Sequence, residues 1–120
     1  MCSSDLYFNL SNGFAGSEEW GKAEYCLEQS QYFLPDRFIT LNKLVSAYIM
    51  QERYEKAIDI LERIVYLNNA DVKTLHMLGL TYRIQGHRTK ADKIFTDLLE
   101  LYPDSPEAQK IRTNDWQLSQ

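Results

Sequence analysis

Little in this chain interrupts the backbone. Three prolines and five glycines in 120 residues exclude collagen-like and Pro/Gly-rich disordered chains. The two cysteines, Cys2 and Cys26, supply neither a disulfide framework nor a metal spacing, so a reducing compartment, the cytoplasm, is the expected setting. No apolar run approaches the roughly 20 residues that a membrane-spanning helix needs. Basic charge is outnumbered: 13 Lys and Arg face 17 Asp and Glu, for a net charge of −4 and a pI near 5.1. That balance argues against nucleic acid as a partner.

Catalytic vocabulary is equally sparse. His76 and His87 stand alone, with no second His at i+4 and no acidic cluster of ligand spacing, so neither a metal nor a cofactor is expected. Nothing matches a P-loop, a dinucleotide fingerprint or a nucleophile elbow. Cys26 lies between Glu24 and Glu28, carboxylates expected to raise its pKa and leave it inert. His87, at a turn, is expected in solvent. No enzymatic activity is expected of these residues.

What the chain has is a beat. Leu41 and Leu75, Leu44 and Leu78, Tyr48 and Tyr82, Ala57 and Ala91, and Leu61 and Phe95 each lie 34 positions apart. Tyr7, Leu10, Phe14, Ala23, Leu27 and Pro35 continue the register upstream. Self-similarity at this period marks stacked helical hairpins. Leu41, Leu44 and Tyr48 share one helical face at i, i+3 and i+7, as do Leu75, Leu78 and Tyr82. After breaks at Gln51–Arg53 and Gln85–His87, a second helix carries Ala57, Leu61 and Ile64, or Ala91, Phe95 and Leu98. Small alanines, and Gly79 opposite, let paired helices approach closely, and Gly86 supplies a permissive turn.

Helices are expected at about 6–15, 18–32, 37–50, 53–67, 71–84, 87–101 and 105–115. Ser17 with Glu18 and Glu19 reads as an N-cap followed by acids in a first turn. Pro35 and Pro103 close the first and third repeats, with Asn69 in the same slot of the second. Asp104-Ser105-Pro106-Glu107 opens the last helix. Gln109, Arg112 and Thr113 stand where a fourth repeat would need Leu, Leu and Gly, while Ala108, Ile111 and Trp116 stay apolar. That pattern suits a capping helix; a fourth repeat cut short is the alternative.

Residues 1–6, Met-Cys-Ser-Ser-Asp-Leu, read as a translated sequencing adapter joined in frame to a gene fragment. Native sequence is then expected to begin near Tyr7, with an unknown length missing upstream; an ordinary start is the alternative. Trp20, Tyr25, Tyr32 and Phe33 would fit an outer face for a missing repeat, unless several are core.

Leu75-x2-Leu78-Gly79-x2-Tyr82, then Ala91-x3-Phe95, then Pro103, resembles the tetratricopeptide repeat. Repeat two keeps Leu44, Tyr48, Ala57 and Leu61 but has Val45 for the glycine. The resemblance implies an all-α, right-handed α-solenoid of antiparallel hairpins with a C-terminal capping helix. Its repeats would span 4–37, 38–71 and 72–105, with 106–120 as cap and tail. It also implies a concave peptide-binding groove lined by the first helix of each repeat. In repeat two the groove positions are Ile39, Asn42, Lys43, Ser46, Ile49 and Met50; in repeat three they are Lys73, His76, Met77, Leu80, Arg83 and Ile84. None is acidic, which suits a peptide with apolar anchors and negative charge. Members that grip the C-terminal carboxylate of heat-shock chaperones use a clamp of Lys, Asn and Arg. Here Phe8 and Met77 occupy basic clamp positions and only Asn12 matches.

The expected function is therefore a protein–protein interaction module, an adaptor or scaffold forming the C-terminal part of a longer protein. Two alternatives fit the same residues: a small secretion chaperone, or an accessory region of an enzyme whose catalytic part lies upstream. The partner's identity and the oligomeric state are not written in these residues.

Overall fold

The computed structural model describes residues 3–67 and 71–113, all of whose regular structure is helical. Seven helices run in order: α1 Ser3–Gly16, α2 Trp20–Phe33, α3 Phe38–Met50, α4 Tyr54–Tyr66, α5 Val72–Ile84, α6 Arg88–Leu101 and α7 Pro106–Arg112. All seven expected helices are present. Cys2, Asn69 and Trp116, to which the sequence reading assigned places, lie outside the described residues. The chain divides into two compact units, Met1–Ile60 and Leu61–Gln120, with α4 running across the division.

In the first unit α1 packs on α2 and α2 on α3. Leu27, Leu44, Ala47, Tyr48 and Ala57 form its central cluster, with Phe8, Trp20, Ile49 and Ile60 packed partly buried against it. Trp20 thus belongs to the core, whereas Tyr25, Tyr32 and Phe33 are exposed. The Tyr7 ring stacks on Phe33 at 5.8 Å. Between α1 and α2 the contact is polar: Ser4 Oγ donates to the Ser30 carbonyl and Ser30 Oγ to the Ser4 carbonyl, each at 3.0 Å. Thr40 Oγ1 lies 3.5 Å from Ser30 Oγ, so three buried hydroxyls satisfy one another. Arg37 Nη1 donates to Asp5 Oδ1 at 2.8 Å.

The second unit buries Leu61, Ile64, Leu75, Leu78, Phe95 and Leu98. α5 packs on α6, and α7 touches both. Gly79 makes the close approach between α5 and α6, because a Cβ there would meet the Phe95 ring at 2.5 Å. Asp71 caps α5 by accepting from Thr74 N–H at 2.7 Å. Ser105 caps α7, accepting from Ala108 N–H at 3.0 Å with Pro106 at the first helical position. Both are the reciprocal solution to unpaired amides at a helix start. Ala108 and Ile111 are buried while Gln109, Arg112 and Thr113 are exposed.

The turn inside each repeat closes in one way. Glu19, Arg53 and His87 N–H each donate to the carbonyl five residues back, on Phe14, Tyr48 and Tyr82, at 2.8 Å. One residue earlier, Glu18, Glu52 and Gly86 take positive φ of 61°, 59° and 82°. This is the Schellman ending, whose left-handed residue is usually glycine. Only the third repeat supplies one. The expected Ser17 cap is corrected accordingly: Ser17 Oγ donates back to the Gly13 and Phe14 carbonyls, and Glu19 stands at the N-cap of α2 without a side-chain capping bond. The chain is still terminating α1 at Ser17, so its hydroxyl serves the outgoing carbonyls.

Candidate peptide-binding surfaces

The expected groove residues lie on α3 in the first unit and α5 in the second, and the two helices treat them differently. α3 is divided lengthwise. Leu41, Leu44, Val45, Ala47 and Tyr48 are buried, because residues three, four and seven apart share a face. Ile39, Asn42, Lys43, Ser46 and Met50 are exposed, and Ile49 is half-buried against the central cluster. Ile39 and Met50, 47% and 59% exposed, are large apolar side chains held in water by a helix whose opposite side is core. Between them stand the Lys43 ammonium, the Asn42 amide and the Ser46 hydroxyl, which donates to the Asn42 carbonyl at 3.4 Å. The face offers two apolar anchors, one positive charge and amide donors, with no carboxylate of its own.

α5 is covered more fully. Lys73 and Ile84 are exposed, His76, Met77 and Arg83 are half-buried, and Leu80 is only 3% exposed. Leu80 is thus a core residue, which removes it from the surface expected at the sequence level. α7 lies against α5, an additional element that covers this helix. Gly79, Leu80 and Thr81 are all buried in succession, as a helix covered on more than one side requires. The His76 ring sits 6.4 Å from Phe95.

A phenol locks α3 and α5 alike. Tyr48 hydroxyl donates to Glu28 Oε2 at 2.8 Å, and Tyr82 hydroxyl donates to Glu62. Burial first, then the carboxylate acceptor, pushes both phenols above their ordinary range. Arg53 and Gln51 meet Glu24 at the neighbouring turn.

Two expectations about single residues are corrected. Burial, not Glu24 or Glu28, is what raises the Cys26 thiol. His87 is half-buried, its ring edge-on to Tyr82 at 6.0 Å. Phe8, at a clamp position, is half-buried against the central cluster with the Arg37 guanidinium 5.7 Å above its ring. Among the described residues no three His, Cys, Asp or Glu side chains converge to hold a metal ion. No described helix is long and apolar enough to cross a membrane.

Comparison with known structures finds the same architecture repeatedly. The first TPR domain of Spaghetti (RPAP3), bound to the HSP90 peptide SRMEEVD, is similar at 19% identity and a TM-score of 0.75, covering 90% of this chain and 86% of that one. The second TPR domain of human RPAP3, in complex with the HSP70 peptide SGPTIEEVD, matches at 18% identity and 0.76, covering 90% of each. YrrB, described as a TPR protein with an unusual peptide-binding site, matches at 20% identity and 0.75 over 83% of this chain and 52% of its own length. No curated protein sequence matches significantly. The family model of the tetratricopeptide repeat matches residues 40–71 and 72–105, more than half of the chain. With its helices following a 34-residue register and the family model matching two successive repeats, the chain belongs to the tetratricopeptide repeat family.

Proposed function

We propose that this chain is a protein-interaction module that binds a short partner segment carrying apolar anchors and negative charge. The observation that carries the reading is the open side of α3, where Ile39, Asn42, Lys43, Ser46 and Met50 are exposed on a helix otherwise built into the core. Exposed apolar side chains at both ends of one helix face are the anchors, and Lys43 between them is the charge that selects. In the second unit, taken by itself, Lys73 and Ile84 on α5 are likewise exposed. Peptide complexes of RPAP3 domains of the same fold support peptide binding as the task.

The ligand class differs from those peptides. With Phe8 packed into the core and Met77 half-buried, the basic positions that would grip a terminal carboxylate are filled by apolar side chains. A peptide ending in EEVD is expected to bind no more tightly than its C-terminal amide; a clear preference for the free acid would contradict this.

The direct test is titration of the isotope-labelled chain with a panel of acidic peptides bearing Leu or Phe anchors, followed by NMR. Shifts should gather on the exposed side of α3. Lys43→Glu should weaken binding about tenfold, as losing one favourable charge contact does, and the effect should shrink at high salt. Unchanged affinity in a folded Lys43→Glu chain overturns the assignment.

A further inference from the structure

The 34-residue register allows each position of α1 to be compared with its counterparts in α3 and α5. At the position of Leu10 stand Leu44 and Leu78, each 2% exposed, whereas Leu10 is 45% exposed. Phe14 is half-buried where Tyr48 and Tyr82 are buried. In α3 this face lies against the preceding second helix, α2, and the hydroxyl of Tyr48 reaches Glu28 on that helix. In α5 the hydroxyl of Tyr82 reaches Glu62 on α4. The same face on α1 is apolar and uncovered.

We infer that the Leu10–Phe14 face of α1 is a docking surface for the second helix of a further hairpin of this repeat, joined in cis on the N-terminal side. It continues in register the interface that α2 makes with α3, and its occupant therefore has the α2 pattern: a small residue aligned with Ala23 and an apolar one aligned with Leu27.

The first test reads the source locus upstream of the codon for Tyr7. The expected result is an in-phase frame encoding an amphipathic helix with Ala and Leu one repeat before Ala23 and Leu27. A stop codon ahead of any such helix overturns the proposal. The second test compares Leu10→Lys in the 120-residue chain and in the chain extended by the encoded hairpin. The substitution should leave the melting temperature of the short chain nearly unchanged and lower that of the extended chain by several degrees, with Leu10 amide protection gained on extension and lost again in the variant. Equal effects in both chains overturn it. Concentration-dependent dimerisation of the short chain that Leu10→Lys abolishes would assign the face to a second copy, and overturns it likewise.

Discussion

A methyl group built on Gly79 would lie 2.5 Å from Phe95 Cε1 and 2.7 Å from Cζ, and the ring is buried. Gly79→Ala should therefore destabilise by about 1–3 kcal/mol through overpacking, outweighing the roughly 1 kcal/mol that alanine gains in a helix. Gly13 has nothing within 4 Å of the same added atom and lies inside α1. Gly13→Ala should stabilise by about 0.5–1 kcal/mol. Urea midpoints of the two variants moving in the same direction would contradict both. The phenols give a pH test. Their folded-state pKa values are raised by burial and by Glu28 or Glu62; a raised value favours the folded chain only while the phenol keeps its proton. The contribution is whole below about pH 10 and is lost as pH climbs toward the raised folded-state value. Stability should fall in that alkaline window, and Tyr48→Phe with Tyr82→Phe should flatten the fall. Each replacement should also cost about 1 kcal/mol at neutral pH from the lost hydrogen bond.

Among the elements, the repeat's internal turn is the most regular and the least evident in composition. Glu18 and Glu52 sit where Gly86 sits, all at positive φ, a conformation costing a residue with a Cβ about 1 kcal/mol. Glu52→Gly should raise stability by about 0.5 kcal/mol once glycine's extra unfolded entropy is deducted, and Gly86→Ala should lower it by about 1 kcal/mol. Chemical denaturation of the pair checks both, and a destabilising Glu52→Gly would deny the strain. The seven helices were legible because apolar spacing reports a buried face directly: Leu41, Leu44 and Tyr48 are all core. The turn residue was legible only at Gly86, since a glutamate carries no mark of the φ it is forced to take. Ser17 misled for the related reason that a serine at a helix boundary can serve either the helix that ends or the one that begins. On the candidate surface, residue type separated charged positions from core ones, but Leu80 could not be told from an exposed anchor. Its burial depends on what packs around α5, which spacing within one helix does not encode.

At the scale of the whole chain, α1 is the helix among α1–α6 that buries the fewest side chains fully. The residues it buries fully, among those described, are Ser4 and Ser11, and Gly13 and Gly16 lie within its span. Native-state hydrogen exchange should show α1 opening at the lowest free energy of the helices α1–α6, and strongest protection there would contradict the packing. Repeat proteins distribute stability in this local fashion, since each hairpin rests on its neighbours. The division of α3 has a different consequence. Because Ile39, Asn42, Lys43, Ser46 and Met50 stand outside the core, their codons are free to drift, or to be randomised in a library, while the folded scaffold stays constant. On the proposal that α3 carries the partner segment, a lineage of such chains would exchange one client for another by rewriting five letters on a single helix.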